Sequence, residues 1–348
     1  MHQVMEKSYI LEHIDIEVNH ECNLNCIHCS ACASTEKNEK ALNNKEIETI
    51  LSGAKRIGLK RVGLTGGEPL MDLDKLSTVA YMCRDQLGLP LHIHTNGTLV
   101  TQEMVRPNGV LTLFEAISIT FLGANAQAHD EVTRQTGSFE SALRSTQLLV
   151  DAGLPLTCFF VPIHGRCESL DSLAEKLANL GVAKIRVLAL APSGRARSIF
   201  SEAVPNRNEI AQLERVLHEA RKYYGMCIEA GYCTRLLIRQ LSVLSRHEKC
   251  TSGLNRLHIN CEGNVFPCTA ASGVVELKIG NVRESELNLE VLWQESPKLN
   301  VIRSVHSGLL PECDECSQEP KCRDGCMVNT CGTMAEKLQI HCPLLMPI

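Results

Sequence analysis

The sequence lacks the features that mark secreted, membrane-spanning and nucleic-acid-binding proteins. Its N-terminal segment, MHQVMEKSYILEHID, contains no apolar core of the kind found in signal peptides. No apolar run reaches the length of a membrane-spanning helix. The 35 basic residues are outnumbered by 40 acidic ones and form no basic block that would follow a phosphate backbone. We therefore expect a cytoplasmic protein whose partners include neither membrane nor nucleic acid.

What the sequence has in excess is cysteine, with 18 residues in a chain of 348. Where thiols stay reduced, clustered cysteines indicate metal binding or catalysis rather than disulfides. The first cluster lies in VNHECNLNCIHCSACAS, where Cys22, Cys26 and Cys29 have the spacing Cys-x3-Cys-x2-Cys. Three thiolates on one loop can hold three irons of a four-iron cluster and leave the fourth iron open. A structural zinc site, the alternative, uses four ligands and could recruit Cys32.

The first two thirds of the chain alternate predicted strands and helices. Short runs rich in β-branched residues, each closed by Gly, Pro or Asn, predict strands that start near Ile10, Arg61, Leu91, Ala116, Pro155 and Lys184. Amphipathic segments between them predict helices, one capped by Ser138 with Glu140 and ended by Gly153. Parallel strands need helical crossovers, so this α/β pattern predicts a parallel sheet. The sheet could close partly or fully as a barrel, or stay open and doubly wound.

A second motif follows the second predicted strand. The segment LTGGEPL contains Gly66, Gly67, Glu68 and Pro69, and paired glycines let a ligand approach the backbone. Combined with the cysteine spacing after strand one, it resembles the radical S-adenosylmethionine (SAM) superfamily. The resemblance implies a partial (β/α)6 barrel and a [4Fe-4S] cluster whose open iron binds SAM. It also implies reductive cleavage of SAM to a 5′-deoxyadenosyl radical, which abstracts hydrogen from a substrate.

Other positions extend this resemblance residue by residue. His28 fills the usually aromatic place beside the adenine, and Asn96 follows strand three as in this group. Ser118 stands where relatives use a serine on SAM, although ISITFLG lacks the acidic residue of their ISLDG. Arg134 in HDEVTRQTGSF would pair with the SAM carboxylate, as suits a guanidinium fork. The segment APSGRA, from Ala191, matches a loop that often reads PxGRA, and could simply form a turn.

The C-terminal third is richer in cysteine than the rest. From Cys227 onward it holds 11 of the 18 cysteines, so we expect a radical SAM domain over 1–226 and a second domain over 227–348. The spacing resembles the SPASM domain, which in relatives holds two auxiliary four-iron clusters; a pair of zinc ribbons is the alternative. LHINCEGNVFPC predicts a β-hairpin there. The seven ligands that the resemblance implies are Cys250, Cys268, Cys313, Cys316, Cys322, Cys326 and Cys342.

Two assignments stay open at this level. Two clusters need eight ligands, so the eighth is Cys227, Cys233 or Cys261, or one iron stays open and a single auxiliary cluster is complete. Cys331 competes with Cys342 as the last ligand. A thiol lining the barrel could also donate a hydrogen atom to a substrate radical. The candidates for that role are Cys158, Cys227 and Cys233.

The resemblance also bears on substrate and partners. SPASM relatives crosslink, epimerise or oxidise peptides and proteins, and others act on antibiotic sugars, nucleosides or tetrapyrrole precursors. Only 21 residues precede Cys22, so a leader-peptide-binding function is expected in a separate partner, or the substrate binds unaided. A flavodoxin or ferredoxin is expected as electron donor. A non-enzymatic iron–sulfur or zinc sensor is the third interpretation, and the GGEP segment argues against it because a sensor needs no SAM pocket.

Overall fold

The computed structural model describes residues 9–231, 234, 250–307 and 326–328. The strands in this part of the chain are β1 (His13–Glu17), β2 (Arg61–Thr65), β3 (Leu91–Thr95), β4 (Ala116–Phe121), β5 (Leu156–Phe160), β6 (Lys184–Val187), β7 (Cys227–Ala230), β8 (Arg256–Ile259), β9 (Asn264–Phe266) and β10 (Gly280–Asn281). The α-helices are α1 (Asn44–Arg56), α2 (Leu73–Tyr81), α3 (Gln102–Val105), α4 (Ala126–Thr133), α5 (Ser138–Asp151), α6 (Ser169–Asn179), α7 (Ala196–Ala203), α8 (Arg207–Tyr224), α9 (Leu289–Glu295) and α10 (Pro297–Ser307). Within these ranges no helix is both long and apolar enough to cross a membrane.

The strands form one sheet in the order β10-β9-β8-β1-β2-β3-β4-β5-β6-β7. From β8 to β7 every pairing is parallel, and β1 to β7 follow one another in chain order. A doubly wound sheet would reverse its strand order at a switch point. The order never reverses from β1 to β7, as in a barrel, so the predicted (β/α)6 partial barrel is confirmed and the doubly wound alternative is wrong.

Alternating residues explain why these segments form barrel strands. In β1, Ile14 and Ile16 are fully buried in the main hydrophobic core. His13, Asp15 and Glu17 alternate with them and are also almost fully buried, because successive side chains point to opposite faces. The strand therefore has an apolar face and a polar face, both covered. The six strand predictions and the hairpin prediction are all confirmed, the latter by antiparallel β8 and β9.

One predicted helix cap is wrong. Ser138 is the first residue of α5, not its cap; the N-cap is Gly137 in the left-handed region, at φ +82°. The carboxylate of Asp130 accepts hydrogen bonds from the amides of Gly137 (2.6 Å) and Phe139 (2.9 Å) and from the Ser138 hydroxyl (2.8 Å). Burial alone would raise the pKa of Asp130, but these donors lower it. The acidic side chain of Asp130, from the preceding helix, thus accepts from the first amides of α5.

The C-terminal residues continue the sheet. Strand β8 pairs with β1 in parallel, with Asp15 opposite His258, and β9 and β10 extend it. Trp293 of α9 is buried and donates its indole N–H to the Tyr9 carbonyl at 2.8 Å. On the opposite side, β7 begins at Cys227 and pairs with β6. The domain boundary after residue 226 stays a prediction.

Candidate functional site

The loop that carries Cys22, Cys26 and Cys29 follows β1 and is anchored on two sides. The Cys22 amide donates to the Ser34 carbonyl at 2.7 Å, which closes the loop on itself. The amides of Asn25 and Ile27 donate to carbonyls at the end of α4, at 3.1 and 2.9 Å. The loop conformation is therefore set by backbone hydrogen bonds that leave the three thiols available.

The three thiols fit an iron–sulfur cluster better than a single zinc ion. Burial raises the pKa of Cys22 to about 11 and of Cys26 to about 12, and it also raises the pKa of Cys29. Such thiols become thiolates only beside a cation. A structural zinc site needs four ligands, and Cys32, the other cysteine of this loop, is exposed. Three thiols suit a four-iron cluster that keeps one iron without a protein ligand.

The GGEP segment packs under this loop. A Cβ on Gly67 would lie 2.2 Å from the Glu21 carbonyl oxygen, so only glycine permits this approach. Gly66, at φ +158°, would place a Cβ 2.3 Å from the Asn19 side chain. Pro69 is buried at the start of a short 3₁₀ turn. These residues lie close beneath the cysteine loop, and their predicted contact with SAM stays a prediction.

Glu68 is fully buried, and its carboxylate joins its own turn to the segment at the end of β3. Its Oε1 accepts from the Leu70 amide (3.0 Å) and the Thr95 hydroxyl (2.7 Å), and its Oε2 accepts from the Asn96 amide (2.7 Å). Burial raises the pKa of this carboxyl. Both carboxylate oxygens accept from protein donors, which favours a supporting role over direct contact between this carboxylate and a ligand.

Two other predicted SAM contacts lie near the same end of the barrel. The Asn96 amide group donates to the Asn23 side chain at 2.9 Å and lies 3.9 Å from the Cys22 sulfur. Ser118 is buried in β4, opposite His94 of β3. Asn96 thus connects Glu68 to the cysteine loop, and Ser118 lies on the polar face of the sheet.

The HDEVTR segment contributes differently from expectation. Thr133 and Val132 hold the cysteine loop through their carbonyls. Arg134 ends α4 in the left-handed region, at φ +56°, and its side chain is exposed. Its pairing with a SAM carboxylate stays a prediction. His129 is buried between Phe121 and Phe139, with ring centroids at 5.9 and 5.6 Å.

His129 makes the stability of this region dependent on pH. Its Nδ1 accepts from the Leu122 amide at 3.2 Å, and burial lowers its pKa to about 4. Above about pH 6.5 the ring is neutral whether the chain is folded or unfolded; below it, the unfolded chain binds a proton that the folded one resists. We expect this residue to lower the free energy of unfolding by about 2 kcal/mol between pH 7.5 and pH 5. In urea unfolding, the free energy of unfolding of His129→Gln should therefore fall less between pH 7.5 and pH 5 than that of the parent. Equal falls in both proteins would contradict this.

Arg195 is a site residue that sequence reasoning missed. Its Nε donates to the Cys26 carbonyl and its Nη1 to the Ala33 carbonyl, both at 2.7 Å. Its backbone amide donates to the Cys29 carbonyl at 3.0 Å. The APSGRA segment by itself predicts only a loop or turn, and 169 residues separate Arg195 from Cys26, so no local pattern indicates the contact.

A cavity of about 650 Å³ opens between the cysteine loop, the end of the barrel sheet and the C-terminal hairpin. His28 lines it from the cysteine loop, and burial lowers the pKa of this ring to about 4. Arg186 and Glu229 line it from β6 and β7 and form an ion pair, with Nε at 2.6 Å from Oε1. Arg256 and Thr269 line it from the C-terminal side. The cavity presents both signs of charge beside the cysteine loop.

The polar face of β1 lies next to this cavity. Asp15 accepts hydrogen bonds from His13 Nε2 at 2.9 Å and from the Thr269 hydroxyl at 3.0 Å. Burial alone would raise its pKa, but the His13 contact holds it well below the usual range. His94 Nε2 lies 3.9 Å from the same carboxylate. Through Thr269 the cavity wall is thus tied to a buried anionic group, which sequence reasoning did not single out.

The C-terminal cysteines divide into two groups. Cys250, Cys268 and Cys326 are close enough for each to affect the others electrostatically, and Cys250 and Cys326 are buried. Cys261 lies at the hairpin turn, about 15 Å along the strands from the level of Cys268. This distance rules out Cys261 as the eighth auxiliary ligand if that ligand shares a cluster with Cys250, Cys268 and Cys326. The remaining predicted ligands and alternatives lie outside the described residues: Cys233, Cys313, Cys316, Cys322, Cys331 and Cys342.

Cys261 instead belongs to a separate group with Glu17 and His20. One ligand atom from each of these three side chains falls within 4.8 Å of the others. The Glu17 carboxylate already accepts from His258 Nε2 at 3.1 Å and from the Cys261 amide at 3.0 Å. Burial raises the pKa of the Cys261 thiol to about 12, and the Glu17 oxygens are already occupied by protein donors. A hydrogen-bonded support is the better description of this group.

The candidate hydrogen donors differ in position. Cys158 of β5 is opposite Ile119 and Ile185, on the apolar face of the sheet, and interacts with Thr146 of α5. This orientation contradicts the expectation that its thiol points into the barrel. Cys227 is half-buried opposite Lys184, on the face that also carries Arg186 and Glu229. Its role as a donor stays a prediction.

Family models match two parts of the chain. The model described as the radical SAM superfamily matches residues 16–177, which include the cysteine loop and the GGEP segment. The model described as an iron–sulfur cluster-binding domain, SPASM, matches residues 250–317. Together the two matches span about two thirds of the sequence.

Known proteins resemble the chain over most of its length. An AdoMet-dependent heme synthase from Methanosarcina barkeri is 26% identical over 344 residues, covering 93% of each chain. A PqqA peptide cyclase from Rhizobium meliloti is 26% identical over 326 residues, covering 92% of this chain and 82% of the relative. The crystal structure of SuiB from Streptococcus suis bound to S-adenosylmethionine superposes with a TM-score of 0.72 at 18% identity, over 98% of this chain and 77% of SuiB. SuiB has also been solved with its precursor peptide SuiA.

Proposed function

The chain belongs to the radical SAM superfamily and carries a SPASM iron–sulfur domain, and from this premise we propose that it crosslinks, epimerises or oxidises a peptide or protein. Radical SAM domains bind a [4Fe-4S] cluster and SAM, and SPASM domains bind further iron–sulfur clusters. When bound, these groups supply reductive cleavage of SAM to a 5′-deoxyadenosyl radical that takes a hydrogen atom from the substrate. The chain is therefore an enzyme, and its own residues determine what is bound and how it is oriented.

The observation that carries the proposal is the position of the cysteine loop beside the cavity. Cys22, Cys26 and Cys29 would hold the first cluster, on a loop braced by α4 and by Arg195. Asn96, fixed by Glu68, would support the loop next to Cys22. A SAM molecule bound at this loop would lie at the mouth of the cavity, because His28 of the loop lines it. Burial of this site would keep water away from a radical.

A peptide substrate is supported by the cavity walls and by two relatives. Arg186, Glu229 and Arg256 present charges of both signs, which suit the carbonyls, amides and charged side chains of a peptide. One relative is named a peptide cyclase, and SuiB has been solved with a precursor peptide. We infer that a separate leader-binding protein or the cavity itself recognises the peptide.

A small metabolite is the second candidate. The relative with the widest coverage reported above is named a heme synthase. The cavity of about 650 Å³ also falls in the range typical of small-molecule sites. A tetrapyrrole precursor, nucleoside or antibiotic sugar would fit this chemistry.

One experiment separates these functions. Protein reconstituted anaerobically should hold about twelve irons if two auxiliary clusters form, and about eight if one forms. SAM and a reductant should release 5′-deoxyadenosine. Adding deuterated candidate peptides or tetrapyrrole precursors should then transfer deuterium into 5′-deoxyadenosine only for the true class of substrate. Zinc in place of iron, with no 5′-deoxyadenosine, would instead identify a sensor.

The remaining parts of the proposal concern partners and organisation. We infer a flavodoxin or ferredoxin as electron donor and a cytoplasmic location, where thiols stay reduced for cluster assembly. We also infer that residues 1–226 form the SAM-cleaving domain and residues 227–348 the auxiliary-cluster domain. The auxiliary ligands would include Cys250, Cys268 and Cys326, which lie close together.

A further inference from the structure

After β6, residues 193–195 pack closely against the backbone of the cysteine loop. Gly194 has φ +55°, and a Cβ there would lie 2.4 Å from the carbonyl oxygens of both Cys29 and Ser30. Only glycine lets the two segments approach this closely. The next residue, Arg195, then donates three hydrogen bonds to the loop, one from its amide and two from its guanidinium.

These contacts extend from the middle of the loop to its C-terminal end. The guanidinium donates to the carbonyl of Cys26, the second of the three predicted ligands, and to that of Ala33, which lies after the last of them. A planar fork can hold two acceptors in one fixed geometry, which lysine cannot do. The third nitrogen, Nη2, is buried without a hydrogen-bond partner among the described residues. A buried donor without a partner is costly, so it marks a place where an anionic group would be favourable.

Residues 193–195 also contact the C-terminal part of the chain at Gly273. Ser193 is fully buried, and its hydroxyl accepts from the Gly273 amide at 3.0 Å. A Cβ on Gly273 would lie 2.2 Å from the Gly194 nitrogen, so these backbones also touch closely. Gly273 follows Cys268 by a few residues. The position of Arg195 is therefore fixed by the cysteine-rich part of the chain.

We propose that Arg195 is a positioning residue that fixes the geometry of the cysteine loop and, through its fixed charge, raises the reduction potential of the cluster held there. This inference rests on the proposed function. An electron added to the cluster increases its negative charge, which a nearby cation stabilises in a site sheltered from water. The residue acts through the loop and its charge, without touching the substrate.

Two substitutions separate the charge from the geometry. Arg195→Gln removes the charge, so at the parent's midpoint potential the ratio of reduced to oxidised cluster should fall about tenfold, or about 59 mV for one electron. Arg195→Lys keeps the charge but loses the fork, so the potential should stay near the parent's while SAM affinity falls about tenfold. The matched control is Arg197→Gln, since Arg197 lies on the same segment but pairs with Glu276 at 3.3 Å. This control should change neither quantity.

The readouts are iron content and the electron paramagnetic resonance signal of the full-length, reconstituted protein. The cluster in question is identified as the one whose signal shifts when SAM is added. If the parent shows no such shift, the proposed function itself fails. If the parent shows it and Arg195→Gln retains the parent's iron, potential and SAM response, the role of Arg195 is overturned. Loss of iron from Arg195→Gln but not from Arg195→Lys or Arg197→Gln would support the role.

Discussion

Replacing Cys26 by alanine is expected to reduce 5′-deoxyadenosine formation to the level of iron-free protein. Cys26 lies in the middle of the braced loop, and its carbonyl is held by Arg195 whatever the side chain. The substitution therefore removes one of three iron ligands without removing the loop's anchors. A cluster with two protein ligands cannot be retained with one iron open to SAM. Iron analysis and quantification of 5′-deoxyadenosine by chromatography measure the effect.

The matched control for this prediction is Cys32→Ala. Cys32 lies on the same loop, is exposed and has φ +52°, a conformation no more strained for alanine than for cysteine. If three cysteines hold a cluster, the control should keep its iron and its SAM cleavage. Loss of metal from Cys32→Ala to the same extent as from Cys26→Ala would instead support the four-ligand zinc site.

Replacing Glu68 by alanine is expected to destabilise the fold by about 3–5 kcal/mol. The substitution leaves the buried Leu70 amide and the half-buried Asn96 amide without their acceptor, and it loosens Asn96 beside Cys22. Glu68→Gln keeps one acceptor oxygen but places an NH₂ donor next to a backbone amide. Its free energy of unfolding should therefore lie between those of Glu68→Ala and the parent. Urea unfolding measures the order of stability of the three proteins, and their affinity for SAM should decrease in the same order.

Glu48→Ala is the control for Glu68. Glu48 is an exposed glutamate on α1, so its removal should change the free energy of unfolding by less than about 0.5 kcal/mol. Similar losses in Glu68→Ala and Glu48→Ala would show that the buried carboxylate does not hold the loops together.

The barrel could be predicted because the sequence pattern that determines each strand lies within a few consecutive residues. In β1 the alternation of Ile14 and Ile16 with polar residues sets two faces within five residues. The cysteine and GGEP motifs follow strands directly, so their meeting at one end of the sheet follows from parallel topology. The strand and hairpin predictions, which depend on such local patterns, are therefore confirmed by the structure.

The failures share a different cause, which is tertiary contact. Gly137, not Ser138, is the N-cap of α5, and Asp130 of the preceding helix is the acceptor for the first amides. Arg195 and Cys26 are 169 residues apart, and no local pattern connects a turn-like segment with a carbonyl on a remote loop. The direction of Cys158 depended on the register of β5 with its neighbours, which fixes which face each side chain occupies.

The pairing of β1 with β8 has a consequence for synthesis on the ribosome. His13 and Arg256 are register partners although they lie roughly 240 residues apart, and such distant pairings form late. Until β8 emerges, the first strand made has one edge open, and an open edge is where nascent chains aggregate. Producing the N-terminal half alone would leave that edge permanently bare, so the two halves are best expressed as one polypeptide.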